Sequence, residues 1–158
     1  MDARESTASR ALEGTILAVC IGPGGIPKHS VAEARATPDG LVGDKQRYRI
    51  HGGPNRALCL FSTEDYESLR RDGVPCAQPG TFGENVLLQG IDFKQLRPDD
   101  RLALGDEVVI ELFDVREPCG TLKSVDARFP NLMLGRSGFV CRVLREGLLR
   151  PGMRVRKA

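Results

Sequence analysis

Leu102-Ala103-Leu104-Gly105-Asp106-Glu107-Val108-Val109-Ile110-Glu111-Leu112-Phe113-Asp114-Val115 is the stretch that decides the fold. Two apolar runs flank Gly105-Asp106, a dipeptide that favours a tight hairpin turn. Along 108–115, Val108, Ile110, Leu112 and Asp114 alternate with Val109, Glu111, Phe113 and Val115. Apolar residues occupy both faces of much of this run. That pattern fits a strand in a closed barrel, covered over part of its outer side, better than one in a solvated sheet.

Further strand signals lie on either side. Residues 14–21 read as a buried strand that ends at Gly22-Pro23-Gly24-Gly25, and residues 29–36 as a second strand that ends in the turn sequence Thr37-Pro38-Asp39-Gly40. A short apolar strand is expected over 56–61. Ser62 then caps a helix over Thr63–Arg71, with Asp65 at its third position and with Tyr66 and Leu69 on the buried face. Residues 139–144 and 153–156 supply two more strands. With 18 glycines and 10 prolines among 158 residues, the chain is rich in turns and unsuited to a helical bundle. The expected fold is mainly β: a compact, mostly antiparallel β-barrel with a few short peripheral helices. Residues 1–13 read as a flexible arm and 14–158 as a single domain.

Composition narrows the function classes. The net charge is +2, aromatic residues make up 5%, and there is no tryptophan. Neither a basic footprint nor base-stacking platforms point to nucleic acid. No segment has the apolar length of a membrane span, and residues 1–10 lack the apolar centre of a signal peptide, so a cytoplasmic setting is expected. The five cysteines (20, 59, 76, 119 and 141) form no CxxC pair, which argues against a disulfide framework or a structural zinc site. Cys20, Cys59 and Cys141 sit in apolar runs and read as core. Cys76 reads as a loop residue.

Cys119 stands apart from them. Arg116 precedes it by three residues, Lys123 follows by four, and Pro118 suits the first position of a helix. Cationic neighbours and a helix N-terminus both favour the thiolate over the thiol. The alternative reading is a small, inert, buried residue, as many free cysteines are. Three polar, glycine-rich clusters accompany it. The first is Gly40-Leu41-Val42-Gly43-Asp44-Lys45 followed by His51-Gly52-Gly53-Pro54-Asn55-Arg56; the others are Gly80-Thr81-Phe82-Gly83-Glu84-Asn85 and Gly135-Arg136-Ser137-Gly138. Each could let backbone approach a ligand closely, and each could equally be a set of plain turns. None is a phosphate loop, since the Gly-Lys-Ser/Thr ending is missing. His51, one of two histidines, has no metal-ligand spacing and reads as a pocket residue or a simple backbone partner.

Taken in order, Gly-Leu-x-Gly-Asp, His-Gly-Gly-Pro-Asn-Arg-Ala, Phe-Gly-Glu-Asn, Gly-Asp and Arg-x-Pro-Cys resemble a MOSC domain, the module related to the C-terminal domain of molybdenum cofactor sulfurases. The resemblance runs from about Gly14 onward and is strongest to the stand-alone bacterial type. It implies a compact β-barrel in which Cys119 ligates molybdenum or carries a persulfide. It also implies a pocket for the molybdenum cofactor, molybdopterin, built by Arg116, Asn55, Arg56, His51, Asn85, Arg136 and Ser137. The activity implied is sulfur transfer or reduction of N-hydroxylated compounds, with a small-molecule substrate and a separate electron or sulfur donor protein. The second class is a non-catalytic barrel that binds a pterin-like or phosphorylated ligand and delivers it to a partner. Two departures from the pattern stand out. Val115 occupies the place before Arg116 where relatives often have proline, and no helical extension follows the last strand.

Overall fold

A computed structural model describes residues 12–24, 26–45, 54–75, 78–116, 123, 125–128, 135–136 and 138–158. Its strands are β1 (Glu13–Ile21), β2 (His29–Val31), β3 (Ala34–Thr37), β4 (Gly40–Leu41), β5 (Leu58–Ser62), β6 (Val86–Gln89), β7 (Arg101–Leu104), β8 (Val108–Val115), β9 (Phe139–Arg145), β10 (Gly147–Leu149) and β11 (Arg154–Lys157). One α-helix, α1 (Thr63–Arg71), and single 3-10 turns at Pro54–Arg56 and Phe93–Gln95 complete the described elements. Strands pair in the order β11-β7-β8-β9-β5-β6-β1, and β1 pairs back to β11, which closes a seven-stranded barrel. Strand β2 hangs from the far end of β1, and β10, β3 and β4 form a separate small sheet. Every pairing in the barrel is antiparallel except β5 with β6. Among the described residues, no helix is long and apolar enough to cross a membrane.

The alternation of β8 sends Val108, Ile110 and Leu112 into the barrel, where none is accessible to solvent. They meet Leu58 and Leu60 of β5, Leu102 and Leu104 of β7, and Cys141 and Val143 of β9. A second apolar cluster lies outside the barrel wall, where Ala18, Cys20, Phe61 and Leu87 are covered by Tyr66 and Leu69 of α1 and by Phe82. Strand β1 serves both clusters: alternation sends Val19 inward and Ala18 and Cys20 outward, and the register shift between Ile16 and Ala18 lets Ile16, three residues before Val19, face inward too. Such covering on two sides explains why its sequence reads as a continuous apolar run. Helix α1 starts where Ser62 Oγ accepts the Asp65 N–H at 3.1 Å. Glu64 and Asp65 in its first turn, and Arg70 and Arg71 in its last, oppose the helix dipole.

Four details differ from the sequence expectation. The run 29–36 is two strands, β2 on the barrel and β3 on the small sheet, and the chain changes sheet at Ala32-Glu33. The turn at Gly105-Asp106 also includes Glu107, since Leu104 faces Val108. There the Gly105 N–H is drawn to the Arg154 carbonyl at 2.8 Å, so the loop is shaped by β11 and not by the hairpin alone. Strand β5 begins at Leu58, after the 3-10 turn at Pro54–Arg56. The last strand begins at Arg154, one residue later than expected.

One glycine fixes where the barrel hands its chain to the loops. Gly138 has φ +78, and a Cβ on it would lie 1.9 Å from the Leu60 carbonyl oxygen. Its own carbonyl accepts the Arg116 N–H at 2.9 Å. A Gly138→Ala substitution must strain the backbone and push β9 off β5 together. The expected loss is about 2–4 kcal/mol of unfolding free energy, read from urea denaturation. An unchanged midpoint would mean that β9 does not approach β5 this closely.

Candidate functional site

Arg116 leaves β8 directly, so a rigid strand sets its position. Its backbone is tied to Gly138, and its guanidinium reaches across the outer side of the wall, where Nη2 donates a short hydrogen bond to the Phe82 carbonyl. The side chain lies over Gly83, where an added Cβ would sit 3.6 Å from Nη2 and 2.8 Å from Ile26 Cγ2. Gly83 has φ +80, so both its conformation and the closeness of its neighbours exclude a side chain. The other terminal nitrogen, Nη1, is buried and has no hydrogen-bond partner among the described residues. The same is true of Nε of Arg56, at the end of the 3-10 turn.

Both cations bear on Cys59. This thiol is half-buried on β5, next in line to Phe61, which packs on the outer side of the wall. Burial pushes its pKa up, opposed by Arg116 first and also by Lys28 and Arg56, while Glu84 adds to the rise. Glu84 is fully buried. Its Oε2 accepts the Tyr66 hydroxyl and the Gly80 N–H, the latter at 3.1 Å, and burial holds its carboxyl above the usual range. Its Oε1 has no partner among the described residues.

Two sequence motifs interlock beneath this surface. Asn85 Nδ2 donates to Asp44 Oδ2 at 2.9 Å and to the Cys20 carbonyl at 3.3 Å, while Oδ1 accepts the Cys59 N–H at 3.0 Å. Asp44 Oδ1 accepts from Lys28 Nζ at 2.6 Å and from the Gly22 N–H at 3.0 Å. The side chains of Lys28 and Asp44 are each only 4% exposed. The amide of Asn85 is thus engaged with β1, β5 and Asp44, and what it does here is hold the wall together under the site.

The residues expected to form a pocket separate into three groups. Arg116, Arg56 and the Gly83-Glu84-Asn85 segment gather around Cys59. Asn55 faces the outer side of β9, where its Oδ1 accepts from Arg142 Nε at 2.7 Å. Arg136 lies along α1, with Nη1 donating to Ser68 Oγ at 3.0 Å and to Asp72 Oδ2 at 2.6 Å. Cys119, His51, Ser137 and Cys76 lie outside the described residues, as does the helical turn expected at Pro118. Sequence reading missed Lys28, Cys59 and the Glu84–Tyr66 pair. Cys59 sits in an apolar run like any core thiol, and Lys28 carries no local signal. Phe-Gly-Glu-Asn was a signal for Glu84, though not for its tyrosine.

Two guanidinium groups with unmet N–H capacity, one of them over a backbone strip free of side chains, have the chemistry to meet an anion. The chain belongs to the MOSC domain family, whose sequence profile matches residues 47–156. It is 32% identical over 119 residues to the uncharacterized protein YflK of Bacillus subtilis, covering 72% of this chain and 53% of that protein. A protein named "Reductase" from Gibberella moniliformis is 29% identical over 121 residues, which are 72% of this chain and 21% of the relative. The chain therefore spans about half or less of these relatives. The crystal structure of YiiM from Escherichia coli superposes with a TM-score of 0.73 at 25% identity, covering 92% of this chain and 69% of that one.

Two outcomes follow from this geometry. Removing Asp44 as Asp44→Ala leaves the Lys28 ammonium buried without its counter-ion, at a cost of about 3–5 kcal/mol in denaturant unfolding. A loss under about 1 kcal/mol would class the pair with surface ion pairs. For the thiols, burial pushes Cys20 up to about 11 and raises Cys59 and Cys141 as well. At neutral pH a thiol titrating near 11 is thiolate in only about one molecule in ten thousand. Alkylation mapped by peptide at pH 6–8 should therefore mark Cys119 well ahead of these three. It should also persist at lower pH for Cys119 than for Cys76. Faster labelling of Cys76 throughout would remove the case for a depressed Cys119 pKa.

Proposed function

We propose that this chain is a molybdenum-cofactor-binding or sulfur-carrying MOSC protein in which Cys119 is the working sulfur. The observation that carries the reading is the pair of buried, unpartnered nitrogens, Arg116 Nη1 and Arg56 Nε, the first on a guanidinium that lies over Gly83. Guanidinium N–H groups held in place without an acceptor suit a phosphate or a pterin carbonyl, and the missing Cβ at Gly83 leaves room for a flat group to approach. The residues present thus fit the anionic parts of the cofactor. Arg116 is braced by the Phe82 carbonyl and by Gly138, so it would hold such a group without reorganising. Cys119, three residues further on, would offer a soft thiolate.

When bound, the cofactor supplies two-electron redox chemistry at molybdenum, and reduction of a substrate then calls for a separate electron-donor protein. In the sulfur-carrying mode the Cys119 thiolate attacks the outer sulfur of a donor persulfide. The donor leaves as its thiolate, and the sulfur atom with its proton stays on Cys119. The "Reductase" relative, of which this chain spans 21%, supports a redox role. That same partial coverage supports a second reading, in which the barrel carries a pterin-like or phosphorylated ligand to a partner without catalysing anything.

Metal and pterin content separate these readings. Protein purified from a host that makes the cofactor should contain molybdenum and pterin in near-equal amounts, and Cys119→Ala should lose the molybdenum. A carrier would keep its pterin after that change. In the sulfur-carrying mode, mass spectrometry of protein treated with a persulfide donor should find one added sulfur on the Cys119 peptide. Absence of molybdenum, pterin and added sulfur together would overturn the proposal.

A further inference from the structure

A second space in the described structure lies elsewhere, and the function proposed above does not use it. A cavity of about 720 Å³ opens between α1, the segment linking β6 to β7, and the ends of β8 and β9. That volume matches a small organic ligand. Its apolar floor includes Phe93 and Phe139, whose rings lie 5.8 Å apart, and Val115, which is 50% exposed at the end of its strand.

The charges around this floor differ in how they are engaged. The acids are occupied by the protein. Glu64 accepts the Gly90 N–H at 3.0 Å, Asp92 accepts the Lys94 N–H at 2.9 Å, and the Asp65 carboxyl is bonded by the Ser62 hydroxyl. Two of the bases are occupied too: Arg97 donates to the Lys94 carbonyl at 2.9 Å, and Arg136 is paired with Asp72. The ammonium of Lys94 and the guanidinium of Arg71 make no hydrogen bond or ion pair among the described residues. Four bases face three acids on this lining, a net charge of only +1, and the donors left without an acceptor are the cationic ones, Lys94 and Arg71, over an aromatic and aliphatic floor.

We propose that this cavity is a binding site for a small organic anion, a flat apolar body of one or two rings bearing a carboxylate or phosphate. The body lies against Phe93, Val115 and Phe139, and the anionic group meets Lys94 and Arg71. Val115 and Gly138, both on its wall, adjoin and hold Arg116, so the site opens beside the strand that leads to Cys119. The anion is a free small molecule separate from the cofactor, and the two can be told apart.

The test uses the whole chain made in a host unable to synthesise the cofactor, so its outcome does not depend on molybdenum binding. 2-Naphthoate and 2-naphthyl phosphate are titrated against it, with 2-naphthol as the neutral control, by calorimetry and backbone amide shifts. Saturable binding is expected, with shifts at Gly90 to Lys94 and at Gly138. Lys94→Ala and Arg71→Ala, both exposed and safe for folding, should each weaken binding roughly tenfold. Arg35→Ala, on the small sheet, should leave it unchanged. Equal binding of 2-naphthol, or amide shifts confined to other parts of the chain, would overturn the proposal. So would loss of naphthoate binding in cofactor-loaded protein, which would make the cavity part of the cofactor's own site.

Discussion

The buried pair of Lys28 and Asp44 is the constraint from which the rest of the site follows. Taking both charges out of water is costly, and their attraction alone does not reliably offset it. Here the carboxylate is supplied on every side, by the ammonium at 2.6 Å, by the Gly22 N–H and by the Asn85 amide. Such complete satisfaction requires three stretches of chain in one place: the turn after β1, the segment after β4 and the segment before β6. Asn85 carries the constraint into the barrel wall through the Cys59 N–H and the Cys20 carbonyl. If the pair were loosened, the wall under Arg116 would lose its anchor, although no residue of the pair touches Arg116.

Above that anchor, small residues set the distances. Gly138 lets β9 press against the Leu60 carbonyl, and Gly83 lets the Arg116 guanidinium lie flat on the backbone. The cationic surface is therefore made from rigid strand ends and backbone, with few adjustable side chains. This is the form a preorganised binding surface takes, because little reorganisation is left when a ligand arrives.

What could be read from the sequence was what depends on neighbours along the chain. The alternation in β8, the cap at Ser62, the Tyr66 and Leu69 face of α1 and the extent of β9 are local patterns, and the structure reproduces them. What escaped depends on partners distant in sequence. The division of 29–36 between two sheets is set by β1 and β10, and β10 itself is three residues opened by a glycine. The parallel match of β5 to β6 leaves no mark in either strand. At the site, motif order singled out Arg116 and Arg56, and their unmet N–H groups are visible only in the structure. It also marked Asn85, but an asparagine that staples strands and one that greets a ligand look alike in sequence. Only the distances to Asp44, Cys20 and Cys59 tell them apart.

The seam between β1 and β11 has a consequence for how the chain comes to rest. Glu13, Gly14 and Thr15 pair with Arg156, Val155 and Arg154, so the ring is completed by strands from opposite ends of the folded sequence. Until β11 arrives, β1 and β7 each present an open hydrogen-bonding edge, the kind of edge that recruits other chains. Contacts of such long range slow the search for the native state, because the entropy of closing the loop is spent before they form. A ring also has no end from which to fray. Parting any one seam exposes the interior that all seven strands share, so the cost of opening falls on the common core wherever the ring parts.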